Sequence, residues 1–266
     1  MHDEHIAGSR GSIFRRTWQV DDPDHVVVLV HGYGEHIGRY DHVAQALRDH
    51  GAAVYGLDHL GHGRSEGVAV YIEDFADVTA DVHRVVEAAR ADHPDAPLVM
   101  IGHSMGGMIA TLYTEERPDE LAALVLSGPT LGEFALVHQL AAARKIPDTP
   151  IDPHVLSRDP EVGRAYVEDD LVYHGPFKRR TLQAWVTALE RSTADRDRIR
   201  VPVLYLHGEE DELVPLGPSR QAVESFPVEA EMHIYPGARH EVFNEINRDE
   251  VLADVTAFID RVTAED

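Results

Sequence analysis

The stretch that most constrains this chain runs from Pro97 to Pro118. Pro97-Leu98-Val99-Met100-Ile101 is a short apolar run of the kind that forms a strand buried on both faces. It leads straight into Gly102-His103-Ser104-Met105-Gly106. From there Gly107, Met108, Ile109, Ala110, Leu112 and Tyr113 continue as an apolar helix that closes at Arg117-Pro118. A strand that turns into a helix through G-x-S-x-G holds its serine on a strained turn. The hydroxyl is then exposed at the carboxyl end of a sheet, and the glycines let the strand and helix backbones pass closely. The bare pattern is common, because Gly and Ser are frequent in turns; the flanking strand and helix make it specific. Ser104 is the candidate nucleophile.

The remaining chain supplies a matching frame. Ser12 to Val20 reads as an edge strand, and Asp21-Asp22-Pro23-Asp24 as a turn. Val26-Val27-Val28-Leu29-Val30 is a β-branched central strand ending in the Gly-rich loop His31-Gly32-Tyr33-Gly34-Glu35-His36, with a helix near Tyr40 to His50. Ala52 to Leu57 is a strand. Asp74 to His93 is a helix with Phe75, Val78, Val82, Val85, Val86 and Ala89 at helical spacing. After the Ser104 turn and its helix, Leu121 to Leu126 is a strand leading into Ser127-Gly128-Pro129. The alternation then breaks. Between Thr130 and about Arg198, Phe134 to Ile146 and Arg179 to Arg191 read as helices separated by the Pro-rich stretch Pro147 to Pro160. It resumes with the strand Val201 to Leu206, a helix around Pro218 to Phe226, the strand Ala230 to Tyr235 and a last helix from Asp249 to Val262. The expectation is an α/β architecture: one open parallel sheet formed by residues 1–129 and 199–266, with residues 130–198 inserted as a helical cap.

Composition narrows the chemistry. Cys is absent, which excludes disulfides, thiolate metal sites and a Cys nucleophile. No apolar run reaches membrane-spanning length, and the polar, acidic start Met1-His2-Asp3-Glu4-His5 is unlike a secretory signal, so the expected compartment is the cytoplasm. A formal net charge of -23 argues against nucleic acid or anionic membranes as partners. Lys occurs only at Lys145 and Lys178.

A serine nucleophile needs a base, and the base needs an acid that holds its tautomer. Among 18 His residues, His240 stands out because it lies in the loop Pro236-Gly237-Ala238-Arg239-His240 that leaves the last strand. Asp211, in His207-Gly208-Glu209-Glu210-Asp211, leaves the strand before it, and Glu210 is its competitor for the role of acid. Both loops sit at the carboxyl ends of parallel strands, the edge where ligands bind. The tetrahedral intermediate of acyl transfer needs two donors. The N–H of Met105, the residue after the nucleophile, is one. The other comes from the His31-to-Gly34 loop, with Tyr33 preferred and Gly34 as the alternative. A metal site from His31, His59 and His62 is conceivable. Gly61 and Gly63 instead suggest a tight turn in which these side chains pack and hydrogen-bond, and no metal is expected. His103 reads as a hydrogen-bonding neighbour of Ser104 and not as the base.

These residues resemble the monoacylglycerol lipase branch of the α/β-hydrolase family over nearly the whole chain. The resemblance is carried by HGYGEHIGRY at His31 to Tyr40, DHLGHGRSEG at Asp58 to Gly67, GHSMGG at Gly102 to Gly107, LSGP at Leu126 to Pro129, LHGEEDELVP at Leu206 to Pro215 and YPGARHEVFNE at Tyr235 to Glu245. It implies an α/β-hydrolase fold and cofactor-free serine hydrolysis of a fatty-acid–glycerol monoester. By motif position it puts the nucleophile on Ser104, the acid on Asp211, the base on His240 and the oxyanion amides on Tyr33 and Met105. Glu35 and Arg39 match positions near the glycerol end of the family's pocket, with a surface ion pair as the plain alternative. Two departures stand out. Mammalian members carry a second His three residues after the base where this chain has Phe243, which leaves glycerol recognition weaker or differently built. Asp170 stands where Pro is usual, which puts the conformation of the Asp169-Asp170-Leu171 turn in question.

Phe134, Leu136, Val137, Leu140, Ala141 and Ile146 give the first cap helix a broad apolar face, suited to an acyl tunnel or to packing on the sheet. Transient contact with a lipid surface through the cap is a further option, although Arg144 and Lys145 alone make a poor basic face. A broader carboxylesterase or a lysophospholipase would share every catalytic residue. A non-catalytic ligand carrier on the same fold is the rival from another class.

Overall fold

The computed structural model describes residues 1–148 and 150–264; Thr149, in the Pro-rich stretch, and Glu265 and Asp266, at the end of the second core segment, lie outside the described residues. The chain begins with a hairpin. β1 (His2–Ala7) pairs antiparallel with β2 (Ser12–Trp18), and β2 pairs antiparallel with β4 (Ala52–Leu57). The expected edge strand is therefore an inner one, and the edge is formed by the polar N-terminal residues. β1 is mostly exposed, and what holds it besides its ladder is a set of ion pairs from β2. Arg16 grips Asp3 at 2.7 Å and Arg15 grips Glu4.

From β3 (His25–Val30) onward every pairing is parallel, through β4, β5 (Leu98–His103), β6 (Ala123–Ser127), β7 (Val203–Gly208) and β8 (Glu231–Tyr235). The spatial order is β1-β2-β4-β3-β5-β6-β7-β8. Strands β3 to β7 are buried at every position, as a parallel sheet covered on both faces requires. Alternation along one strand feeds two cores. Val26, Val28 and Val30 face the side covered by α2 (Phe75–Asp92) and α3 (Met105–Glu116), whereas Val27 and Leu29 face α1 (Asp41–Asp49) and α8 (Arg248–Thr263). This is the α/β-hydrolase fold.

Between β6 and β7 the described residues contain helices and no strand: α4 (Ala135–Ala142), α5 (Pro160–Glu168) and α6 (Arg179–Asp195). α5 lies at the end of what reads as a Pro-rich separator. Pro160 occupies the first helical turn, where its missing N–H costs nothing, and the Asp159 side chain caps the helix by accepting from the Glu161 N–H at 3.0 Å. α6 sinks Leu182, Trp185, Ala188 and Leu189 into the same core as α3, and Ser192 donates to Glu115 Oε1 across that contact at 3.1 Å. α7 (Leu216–Glu224) follows β7. Among the described residues, no helix is long and apolar enough to cross a membrane.

Candidate active site

Ser104 stands between β5 and α3 with φ 55° and ψ −121°, a left-handed backbone that a non-glycine residue adopts only when its surroundings force it. The force comes from close packing. A β-carbon at Gly106 would lie 2.1 Å from the Val30 carbonyl oxygen, so helix α3 starts against the end of β3 only because this position is glycine. The amino end of α3 points its free N–H groups and its partial positive charge at the serine.

His240 lies in the loop after β8, and its Nδ1 donates to Asp211 Oδ2 at 2.8 Å. Asp211 is anchored on its other oxygen by the N–H groups of Leu213 (2.9 Å) and Val214 (2.8 Å). His207 Nε2 also approaches Oδ2, at 3.2 Å. Burial pushes the Asp211 carboxyl up, but His240 and His207 outweigh it and hold the group well below the usual carboxylate range. Burial pushes His240 down, and Asp211 outweighs that in turn, so its imidazole is raised above the ordinary value. With the proton fixed on Nδ1, Nε2 is the nitrogen left to act as a base. Glu210, the competing acid, is exposed. His103 packs its ring 4.7 Å from that of His240, and its Nδ1 faces the Ser127 hydroxyl at 3.0 Å. Burial and the neighbouring His240 bring its pKa to about 4, so it stays neutral.

The loop after β3 brings Tyr33 beside Ser104: a β-carbon at the adjoining Gly32 would lie 3.2 Å from Ser104 Cβ. Among the described residues neither the Tyr33 nor the Met105 N–H is taken by another backbone acceptor outside regular elements. Glu35 holds this loop in shape. Its Oε1 accepts from the Gly32 N–H and the Tyr40 hydroxyl, both at 2.7 Å. Gly34, the alternative donor, has its carbonyl bound by the Tyr173 N–H at 2.7 Å. The turn before Tyr173 is closed by a side chain: Asp169 Oδ1 accepts from the Leu171 N–H at 2.8 Å, and its other oxygen meets His36 Nε2 at 2.8 Å. An Asp in place of proline at position 170 is accommodated by that side-chain turn.

Glu35 and Arg39 are not a surface pair. Glu35 is 4 % exposed, and Arg39 Nη1 donates to Glu35 Oε2 at 2.6 Å. A third member, Glu241, escaped the sequence reading. Its Oε1 accepts from Arg39 Nη1 at 2.7 Å and its Oε2 from Nη2 at 2.8 Å. Burial raises the Glu241 carboxyl, but Arg39 dominates and brings it to about 2. The signal for Glu241 was its place next to His240; nothing in local pattern links it to an arginine 202 residues earlier. Phe243 is buried in the core beneath α1 and α8, and its carbonyl takes the proton of His42 Nε2 at 2.9 Å.

These groups open onto one cleft. Its lining combines a linked polar cluster, Glu35, Arg39 and Glu241, and the Ser104 and His240 side chains with apolar walls from Phe134, Val137, Leu156, Phe177, Trp185 and Val214. Tyr33 stacks on Phe177 at 4.7 Å between ring centres, and the Arg39 guanidinium lies 5.3 Å over the Tyr166 ring. Of the apolar residues expected on the first inserted helix, Phe134, Leu136 and Val137 line the cleft, Phe134 and Val137 also belong to the core, and Leu140, Ala141 and Ile146 pack against it; the helix itself ends at Ala142.

The loop that carries His240 is laced to the inserted segment. The N–H of Glu241 donates to the Leu156 carbonyl at 2.8 Å and that of His240 to Val155 at 3.3 Å. The Ser157 hydroxyl donates to the Asn244 carbonyl at 2.9 Å, Arg158 pairs with Glu245 at 2.9 Å, and Arg239 Nη1 donates to the His154 carbonyl at 2.6 Å. His31, His59 and His62 pack together, with the His62 ring 6.0 Å from that of the cleft-lining Tyr33. His31 Nδ1 donates to the Gly32 carbonyl at 2.8 Å, its Nε2 accepts from the His59 N–H at 3.0 Å, and His59 Nε2 donates back to the His31 carbonyl at 3.0 Å. Burial, the largest effect, pushes all three below the ordinary histidine range, and repulsion from neighbouring imidazoles adds to it at His31 and His59.

Residues 21–247 match the family model described as serine aminopeptidase, S33. A monoacylglycerol lipase of Mycolicibacterium smegmatis is 41% identical over 253 residues, which covers 91% of this chain and 90% of that protein. The human monoglyceride lipase is 32% identical over 91% of this chain and 84% of its own length. Among solved structures, the Paleococcus ferrophilus monoacylglycerol lipase superposes with a TM-score of 0.82 at 28% identity, covering 94% of this chain and 99% of that one. With the sheet order, the strained serine turn and these likenesses together, the chain belongs to the serine aminopeptidase S33 family of α/β-hydrolases.

Proposed function

We propose that the protein hydrolyses monoacylglycerols to glycerol and free fatty acid through an acyl-enzyme on Ser104. The observation that carries the substrate class is the division of the cleft's lining between buried polar groups with Ser104 and His240 and aromatic and aliphatic side chains. One acyl chain and one small polyol fit that division. The naming of relatives on both sides of a wide evolutionary gap supports the same reading.

In this reading His240, oriented by Asp211, takes the Ser104 proton as the hydroxyl attacks the ester carbonyl. The amides of Tyr33 and Met105 receive the charge that develops on oxygen, reinforced by the amino end of α3. His240 returns the proton to the leaving glycerol oxygen, and water then repeats the sequence on the acyl-enzyme. Glu35 and Arg39 meet the glycerol hydroxyls. Residues 130–198 act as a cap whose α4 roofs the cleft. The substrate is a small lipid ester; α4 makes transient contact with its lipid surface. Cytoplasmic residence belongs to the same reading and rests on the Cys-free sequence.

The test is release of glycerol and fatty acid from a monoacylglycerol series, beside p-nitrophenyl butyrate and a diacylglycerol. A preference for monoacylglycerol is expected, and Ser104→Ala should lower turnover by several orders of magnitude while the fold persists. High activity on butyrate with little on monoacylglycerol would reduce the protein to a general esterase. More than a few per cent residual activity in Ser104→Ala would remove Ser104 as nucleophile.

A further inference from the structure

We propose that Glu241 is a specificity-determining residue: by occupying Arg39 it makes the polar cluster of the cleft a site for uncharged polyols that rejects head groups carrying a phosphate. The inference rests on the ester-hydrolase reading above and adds a charge filter to it.

An arginine beside a reacting ester is ordinarily an anion receptor, because its planar fork of donors matches phosphate and carboxylate oxygens. Here that fork is taken. Both hydrogens of Nη1 go to protein carboxylates, Glu35 Oε2 at 2.6 Å and Glu241 Oε1 at 2.7 Å, and Nη2 gives one to Glu241 Oε2 at 2.8 Å. Two carboxylates against one guanidinium leave a surplus negative charge, and each carboxylate is 4 % exposed, so water screens it little. Glu241 is also fastened in place. Asn244 Nδ2 donates to its Oε2 at 2.8 Å, and its backbone N–H is held by the Leu156 carbonyl at 2.8 Å, so the carboxylate does not swing aside to free the fork. The arginine donors left over, one on Nε and one on Nη2, form a side-on pair that a hydroxyl can meet, so the surplus charge and not a lack of donors sorts against a phosphate. An incoming phosphate meets the surplus charge instead: at about 6 Å and an effective dielectric constant of about 20, one unit of like charge costs on the order of 100-fold in binding. Glu35 cannot be the switch, because its other oxygen builds the Gly32–Tyr33 turn.

Short soluble esters test this without interference from micelles. kcat/KM is measured for 1-butyrylglycerol, for 1-butyrylglycerol 3-phosphate and for p-nitrophenyl butyrate, which has no polyol and reports intact catalysis. The native protein should favour the uncharged glycerol ester over its phosphate by on the order of 100-fold. Glu241→Gln and the uncharged, similarly sized Glu241→Met should each cut that ratio at least tenfold, relative to their own turnover of p-nitrophenyl butyrate. A native ratio within about threefold of unity overturns the proposal. So does an unchanged ratio in either variant that still turns over p-nitrophenyl butyrate. If neither glycerol ester is cleaved while p-nitrophenyl butyrate is, the monoacylglycerol reading fails separately. Competition against p-nitrophenyl butyrate then decides the filter in the native protein. Inhibition by glycerol with little by glycerol 3-phosphate supports it, and equal or stronger inhibition by the phosphate overturns it.

Discussion

Glu115 sits in the last turn of α3, the helix that begins at the candidate nucleophile, and it is wholly buried against α6. Oε1 accepts from Ser192, but Oε2 has no partner among the described residues. Burial, the dominant effect, raises its pKa to about 8 from 4.5; Asp195 adds to the rise, while Ser192 and Arg191 oppose it. The sign follows from proton counting. Between about 4.5 and 8 the folded state keeps a proton that the unfolded chain has released, so stability is full below the lower value and falls as pH rises toward the upper one. At about 1.4 kcal/mol per pH unit, the loss between about pH 5.5 and pH 8 comes to about 3 kcal/mol. Glu115→Gln keeps the shape and the Ser192 bond and cannot ionise. Urea unfolding of both proteins across that pH range is the assay. The native protein should lose about 3 kcal/mol more than the variant, and the variant should be the more stable of the two at pH 8. Comparing the two leaves nearly all of the repulsion from the net charge of -23 in common, since the variant differs by a single formal charge. Parallel pH profiles would refute the reasoning, because Glu115 would then ionise as freely folded as unfolded.

Three further outcomes are expected. Asp211→Asn places an amide where His240 Nδ1 now donates at 2.8 Å, so turnover of p-nitrophenyl butyrate should fall by on the order of 10⁴ with the circular dichroism spectrum unchanged; a loss below tenfold would assign the acid elsewhere. The acidic limb of the pH profile of kcat/KM reports protonation of His240, and because Asp211 raises that group the limb should lie above 6.5; a limb at or below that value contradicts the pairing. Gly106→Ala drives a β-carbon to 2.1 Å from the Val30 carbonyl and 2.5 Å from that of His31, which should cost more than about 3 kcal/mol in thermal or urea unfolding; native-like stability would show that the elbow has room.

Much of this was open to reading because it is local. Fully buried parallel strands advertise themselves as unbroken β-branched runs, and a nucleophile turn needs its glycines where the backbones cross. The chain order of Ser104, Asp211 and His240 follows from loops that leave successive strand ends, and the fold brings the three to one edge. What stayed hidden depends on partners far off in sequence. β1 has too few apolar residues to declare itself, and gains its place through Arg15 and Arg16 on the neighbouring strand. α5 was masked by prolines that mark its start and not a break. Glu241 acquires its meaning only when the last strand's loop closes over Arg39.

The lacing between residues 154–158 and the loop that carries His240 bears on how such proteins diversify. Inserted helices are natural material for recombination, since swapping one for another could change which acyl chain is admitted. Here the exchangeable unit is smaller than the insertion. The backbone N–H groups of His240 and Glu241 find their acceptors on Val155 and Leu156, Arg239 donates to the His154 carbonyl, and Glu245 accepts from Arg158 on the same short stretch. A transplant spanning residues 130–198 would remove the groups that hold the His240 loop along with the helices themselves. One confined to α4 and its flanks would leave that scaffold whole. Lineages and engineers alike should find α4 free to vary and residues 154–158 tethered to the chemistry.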